Sequence, residues 1–296
     1  MIELETLASP RELIGELEAR LCEAGIVSAR AEAEWLVADT LDVSRTDLYL
    51  WDGPISSAQA AELEVRLSRR LSGEPLQYVL GAVEFLGHRL AVNPSVLIPR
   101  PETEALAVEA IAALRALVAS ARGPVRVLDV GTGSGCLAIS LAHAVEACTI
   151  TALELSWNTL QTARANVLVH HLDERIHLIQ SDWTSGVGGL FHLIVSNPPY
   201  VPTDELARLS EGVRREPRES LDGGPDGMRF HRRLLVDAGR LLAPGGWLWM
   251  ECAESQADAL RGCAAGCAWA SEVSVANDLA ARPRIVGVRR RDSLTT

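Results

Sequence analysis

The segment Asn197-Pro198-Pro199-Tyr200 carries the most specific chemistry in the chain. It follows the apolar run 191–196, which reads as a buried strand. It therefore falls at the carboxyl end of a sheet, where α/β folds bind ligands. Two successive prolines fix the backbone and remove two N–H donors, leaving carbonyls free to accept. A primary amide or amino group brings two N–H donors. The Asn197 side-chain oxygen and the Pro198 carbonyl can accept one each. Held in this way, the nitrogen turns its lone pair toward an electrophile and gains sp³ character as a bond forms. Orientation of this kind contributes ~7–11 kcal/mol. Tyr200 can stack on the planar group that carries the nitrogen. No His, Asp or Glu lies within the segment. The expectation is catalysis by alignment and carbonyl acceptors, with the amide proton lost to water.

The electrophile is suggested by residues 127–135, Val-Leu-Asp-Val-Gly-Thr-Gly-Ser-Gly, a strand running through a glycine turn into a helix. Such turns set backbone N–H groups and a helix N-terminus against a ligand, and glycine allows close approach. The dinucleotide fingerprint needs a third glycine one place later, where this chain has Cys136. Gly131, Thr132, Gly133, Ser134 and Gly135 therefore suit a ligand without a pyrophosphate, such as S-adenosylmethionine, whose sulfonium methyl is an electrophile. Glu154 stands 154 − 131 = 23 residues after the first glycine, at the end of the next strand, where an acidic side chain accepts from ribose hydroxyls. Asp182 and Trp183 follow a third strand; the carboxylate can accept from an adenine amino group and the indole can cover the ring. Core packing is the alternative for Trp183, and a ligand-free turn for the glycines.

These residues need a scaffold, and the rhythm after Gly123-Pro124 supplies one. Strands are expected at 125–130, 148–155, 176–180, 193–196 and 247–251, with helices at 136–144, from 155 through 166, and at 234–242. Residues 273–275 and 285–288 form a terminal pair. Alternation of this kind argues for a parallel, doubly wound α/β sheet. Upstream, Ser9-Pro10-Arg11-Glu12 is a capping box followed by Leu13, Leu17 and Leu21, with Gly25 as the stop. Ser28 opens a helix whose apolar side is Trp35, Leu36 and Leu41, and Ser56-Ser57-Ala58-Gln59 opens another through Leu63, Val65, Leu67 and Leu71. This pattern serves either a plain helical bundle or one that recognises a large substrate. Between them, Tyr78, Val79 and Leu80, then Val83, Phe85, Leu90, Val92, Val96 and Ile98, are β-formers broken by Gly81, Gly87 and Asn93-Pro94, which predicts a hairpin. A helix is expected over 102–121, and 222–227 is the most loop-like stretch.

Composition narrows the chemistry. The chain has 296 residues and a formal charge of −11, and all 28 of its cationic side chains are Arg. Without Lys there is no lysine nucleophile or Schiff base, and an acidic chain is poorly suited to neutralising phosphates. The six cysteines are scattered; only Cys263 and Cys267 are close, so buried thiols are expected rather than a zinc site. Residues 1–9 carry two Glu and no apolar h-region, and no run reaches the ~18–20 residues of a membrane span. The expectation is a soluble, cytoplasmic protein.

Taken together, 131–135 and 197–200 resemble class I S-adenosylmethionine-dependent methyltransferases acting on a nitrogen attached to an sp² carbon. Two groups share the tetrapeptide: nucleic-acid adenine N(6)-methyltransferases and protein-glutamine N(5)-methyltransferases. Gly73-Glu74-Pro75-Leu76-Gln77-Tyr78 and Leu97-Ile98-Pro99-Arg100-Pro101-Glu102-Thr103-Glu104 are similar to the glutamine methyltransferases of peptide chain release factors, the PrmC/HemK family. So are Ser181-Asp182-Trp183, Glu216-Pro217, Leu221 with Gly223-Gly224-Pro225-Asp226-Gly227, and Gly245-Gly246 leading to Glu251. The resemblance implies a seven-stranded Rossmann-like sheet in a methyltransferase domain over 100–296. A β-hairpin linker over 73–99 and a small helical substrate-recognition domain over 1–72 would precede it. It implies methyl transfer from S-adenosylmethionine to the side-chain amide of the glutamine in a Gly-Gly-Gln loop. Cofactor contacts are carried over to 131–135, Glu154, Trp183 and Asn197, and glutamine binding to Asn197, Pro198, Pro199 and Tyr200. The chain departs from the family at Glu251-Cys252-Ala253, where the second residue after the acid is usually Gly, and at Glu154, where Asp is commoner. The implied partners are class I release factors, with no direct nucleic-acid binding and no membrane. Arg214, Arg215, Arg218, Arg229, Arg232 and Arg233 read as a docking surface for such a factor or as a solvated face. A ribosomal-protein glutamine methyltransferase, a nucleic-acid adenine methyltransferase and a non-catalytic binding module are the alternatives.

Overall fold

The computed structural model describes residues 9–51, 53–121 and 123–292; the expectation for the extreme N-terminus falls on residues 1–8, outside them. The chain divides into two compact units, one reaching to Gly81 with Glu211–Arg215 added, the other Ala82–Ser210 with Glu216 onward.

The first unit is helical: α1 Pro10–Glu23, α2 Ala29–Thr40, α3 Arg45–Leu48, α4 Ser57–Leu71 and α5 Leu76–Leu80. The Ser9 and Ser56 hydroxyls each accept the N3 backbone N–H, with Glu12 and Gln59 reaching back, so both expected capping boxes form. Leu13, Leu17 and Leu21 pack with Leu36, Val37, Leu63 and Leu67. Each fully buried Leu contributes about 1.5–3 kcal/mol. Trp35, expected on the apolar side of α2, is 41% exposed, beneath the Arg45 guanidinium. Its neighbours Leu36 and Val37 take the buried face instead. Val65 also faces solvent. The β-formers Tyr78, Val79 and Leu80 build α5 rather than a strand. The Pro75 carbonyl accepts from both Tyr78 and Val79 N–H groups, burial of those two side chains outweighs strand propensity, and Gly81 at φ 74° ends the turn.

In the second unit, β1 Ala82–Phe85 and β2 His88–Ala91 form the hairpin, turning at Leu86 and Gly87, both at positive φ. After α6 Pro101–Ser120 come β3 Val125–Val130, α7 Cys136–Ala144, β4 Cys148–Glu154, α8 Trp157–Val169, β5 Ile176–Gln180 and β6 Phe191–Ser196. The four-residue α9, Glu211–Arg214, belongs to the helical unit. Then follow α10 Arg229–Leu241, β7 Leu242–Glu251, α11 Ala257–Ala265, β8 Ala270–Asn277 and β9 Pro283–Arg290. The seven-stranded sheet has the order β5-β4-β3-β6-β7-β9-β8. Strands β3 to β7 run parallel, and β9 pairs antiparallel to both β7 and β8, so the sheet is mixed rather than wholly parallel. Along β3, Val125 and Val127 face α6 and α7, whereas Leu128 and Val130 face α10 and α11. Both faces are covered, hence the continuous apolar run. Helix α10 begins at Arg229, ahead of the expected 234, because His231, Leu234, Leu235, Ala238 and Leu241 share one buried side. All six cysteines are free thiols; Cys148 and Cys252 are buried, while Cys22 and Cys263 are exposed. Among the described residues no helix is long and apolar enough to cross a membrane.

Candidate active site

The chain leaves β3 toward β4 on one side and reaches β6 on the other, so the sheet order reverses beside β3. Crevices at the carboxyl ends beside such a switch are where open α/β sheets bind ligands. A cleft lies there, lined by Gly131–Ser134, Glu154, Trp183, Asn197 and Pro199 together with Pro99, Thr103 and Phe230.

Gly131, Gly133 and Gly135 sit at φ 74°, 58° and 87°, in the left-handed region that favours glycine. The N–H groups of Gly131 and Thr132 both donate to the Leu153 carbonyl, tying the turn to β4. Open space surrounds the Cα of Gly131 and Gly133 on the side a Cβ would occupy. Beneath the turn, Asp129 is wholly buried; its Oδ2 accepts from the Thr132 hydroxyl at 2.6 Å and its Oδ1 has no partner. Burial pushes the Asp129 carboxyl up from 3.8 to about 7, the Thr132 hydrogen bond opposing. Between about pH 4 and pH 7 the native state holds a proton that the unfolded chain has released. This group's contribution to stability therefore falls as pH rises through that window and is level above it. Relative to the unmodified protein, Asp129→Asn is expected to gain stability on going from pH 4 to pH 8, read as the difference in urea midpoints. A difference that stays constant across that range would contradict this.

Glu154 ends β4 and accepts from the N–H groups of Gly133, Leu155 and Ser156, at 3.1, 2.8 and 3.1 Å. Burial raises its pKa, and these three donors work against the rise. Trp183 lines the cleft with its backbone at φ 52° and its ring stacked on Phe230, centroids 4.5 Å apart. Asp182 behaves differently: it is exposed, lies outside the cleft lining and pairs with Arg233 at 3.2 Å.

At the end of β6, Asn197 Nδ2 donates to Thr103 Oγ1 at 3.0 Å. The Thr103 hydroxyl donates onward to Glu251 Oε2 at 2.7 Å, and the Tyr200 hydroxyl donates to Glu251 Oε1 at 3.0 Å. Glu251 is fully buried at the end of β7, and burial raises its pKa against these two hydrogen bonds. With Nδ2 occupied by Thr103, the Asn197 amide is turned so that Oδ1 is its remaining acceptor. Pro198 is buried and, like Tyr200, stands outside the cleft lining, while Pro199 is within it. The structure thus brings together the glycine turn, Glu154, Trp183, Asn197 and Pro199, and anchors Tyr200 beneath them through Glu251.

Two further segments shape the tetrapeptide. Val201 and Asp222 pair in a short parallel bridge, with Val201 N–H donating to the Leu221 carbonyl and Gly223 N–H to the Val201 carbonyl. A Cβ on Gly223 would come within 2.7 Å of the Tyr200 Cα, which is why 222–227 is glycine-rich. The buried Glu216 accepts from Ile98 N–H at 3.0 Å and pairs with Arg100, fixing the loop that leads into Thr103. Phe230 carries no local marker in the sequence, since its place in the cleft comes only from the docking of α10.

Residues 12–81 match the family described as the PrmC N-terminal domain, and residues 112–212 match the methyltransferase small domain. A release factor glutamine methyltransferase of Geobacter sulfurreducens is 39% identical over 88% of this chain and 90% of its own length. One from Deinococcus radiodurans is 37% identical over 95% of this chain and 98% of its own. This chain belongs to the release factor glutamine methyltransferase family. The human METTL16 catalytic domain, solved in complex with a 3′UTR hairpin, is 14% identical with a TM-score of 0.56, covering 81% of this chain and 84% of its own. That likeness establishes the fold alone. Members of the release factor glutamine methyltransferase family are S-adenosylmethionine-dependent, and the cleft fits that donor. Its glycine turn is open on the ligand side, Glu154 is a partly buried acceptor, and Trp183 and Phe230 form an aromatic wall.

Proposed function

We propose that this protein methylates the side-chain amide nitrogen of the glutamine in the Gly-Gly-Gln motif of peptide chain release factors. The observation that carries the reading is the orientation of the Asn197 amide, set by its hydrogen bond to Thr103. S-adenosylmethionine supplies, when bound, a sulfonium methyl as the electrophile. Gly131–Ser134 would receive it through the close approach that the open glycine turn allows, and Glu154 would accept from its ribose hydroxyls, with Trp183 against the adenine. An adenine contact from Asp182 would require its exposed side chain to turn into the cleft, whose lining does not include it. Asn197 Oδ1 and the Pro198 carbonyl each accept one N–H of the glutamine amide. Those two acceptors leave the nitrogen lone pair facing the donor side of the cleft. Tyr200, pinned by Glu251, fixes the direction of the chain after the two prolines. Glu251 is buried and already holds two hydroxyls, so the amide proton goes to water rather than to a side-chain base.

Residues 1–72 are assigned to substrate recognition, 73–99 to the linker and 100–296 to methyl transfer, in the cytoplasm where release factors act. Of the six arginines read as a docking surface, Arg215, Arg218, Arg232 and Arg233 pair locally with Glu211, Asp222, Asp226 and Asp182. Docking through them would exchange those local partners for carboxylates of the factor. The experiment is incubation with radiolabelled S-adenosylmethionine and a purified release factor, its Gln→Ala loop variant, and DNA. Label on the native factor alone is the expected result. Label on DNA, or on the Gln→Ala variant, would overturn it.

A further inference from the structure

At the far end of α7 from the glycine turn, three histidines from three different elements converge: His88 in β2, His143 in the last turn of α7, and His170 capping α8. One ring nitrogen from each lies within 4.8 Å of the others. None of the three lines the cleft, so the cluster is separate from the methyl-transfer site. We propose that His88, His143 and His170 form a binding site for a divalent transition-metal ion of the imidazole-preferring kind, Zn²⁺ or Ni²⁺, which pins the hairpin to α7 and α8.

Geometry carries this. His143 Nε2 and His170 Nδ1 are 3.3 Å apart. Two nitrogens bound at ~2.0–2.1 Å on a tetrahedral ion are separated by roughly that distance. His170 Nε2 lies 3.0 Å from the Arg89 carbonyl oxygen, which can only accept. The proton therefore sits on Nε2 and the Nδ1 lone pair faces the cluster, the arrangement by which an outer carbonyl orients a metal-bound imidazole. The His88 ring stacks on His143 at 4.4 Å and edges against His170 at 5.6 Å, which keeps its ring nitrogen within 4.8 Å of the other two. Burial lowers the pKa values of His88 and His143, which favours the neutral, ligating form. The negative end of α7 lies beside His143 and favours a cation. Arg175 is an adverse charge for His143, and its N–H groups are directed at the carbonyls of Ala142, Val145 and Glu146. His143 is exposed, leaving a coordination position for water.

The test uses the full chain without a histidine tag. Zn²⁺ is titrated by calorimetry, and Co²⁺ is followed by its visible absorption as a spectroscopic stand-in. One saturable ion per chain is expected, with affinity falling at least 10-fold in His143→Gln and in His88→Gln. In His177→Gln, an exposed control on β5, affinity is unchanged. Zn²⁺ should also raise the melting temperature of the native chain and not that of His143→Gln. Far-ultraviolet circular dichroism of the variants establishes that they are folded. Absence of saturable binding, or binding in the cluster variants as tight as in the native chain, overturns the proposal.

Discussion

Replacing Asn197 by Ala is expected to lower kcat/KM for a release factor by on the order of 10²–10³-fold, comparable to deleting one preorganised polar contact at a reacting centre. The loss exceeds the ~1 kcal/mol of an ordinary hydrogen bond because the acceptor also sets the angle at which the nitrogen meets the methyl. The glycine turn and Glu154 are untouched, so S-adenosylmethionine affinity, measured by calorimetry, should change less than about 10-fold, a gap of about 1.4 kcal/mol. A fall in cofactor affinity as large as the fall in rate would assign Asn197 to the cofactor and not to the amide. Asn197→Asp is the sharper companion. It keeps an acceptor but loses the donation to Thr103, and it should be nearly as impaired as Ala.

The second large effect is expected at Glu251, which touches neither cleft nor ligand. Glu251→Gln preserves shape but offers one acceptor oxygen where the carboxyl offers two, so either Thr103 or Tyr200 loses its present partner. Leaving a buried polar group unsatisfied costs about 1–3 kcal/mol. The catalytic consequence passes through Thr103: a reoriented hydroxyl no longer accepts from Asn197 Nδ2, and the amide is free to turn. The expected outcome is a 10- to 100-fold fall in kcat, with KM for the factor and affinity for the methyl donor little changed. Thr103→Val should reproduce the fall, and Thr103→Ser should restore most of the rate. Loss of stability in Glu251→Gln without this separation of kcat from KM would reduce Glu251 to a packing residue.

The contrast between these positions shows what a single sequence can and cannot reveal. The glycine turn and Asn197-Pro198-Pro199-Tyr200 are legible because each function is met by a contiguous run whose residue types have few other uses. Thr103 and Glu251 are visible only as parts of longer runs, since their meaning lies in contacts spanning 94 and 148 residues. Residues 76–80 mislead for a related reason: strand propensity is weak, and Pro75 and Gly81 bracket a stretch too short to resist helical closure. Trp35 misleads because an aromatic ring has a use other than burial: it lies half-exposed with the Arg45 guanidinium over it. The antiparallel β9 has no marker of its own, since apolar residues fill parallel and antiparallel central strands alike.

The amide clamp draws on four distant parts of the chain: Thr103 on α6, Asn197 and Tyr200 beyond β6, and Glu251 on β7, with the glycine-rich 222–227 packed beneath. Contacts so far apart in sequence repay their loop-closure entropy only after the intervening elements have docked. The glycine turn, by contrast, is held by β3, α7, β4 and α8, which follow one another in the chain. A partly assembled chain can therefore form the glycine turn before it can grip an amide. The competence to transfer methyl becomes a property of the completed domain, acquired late and lost early.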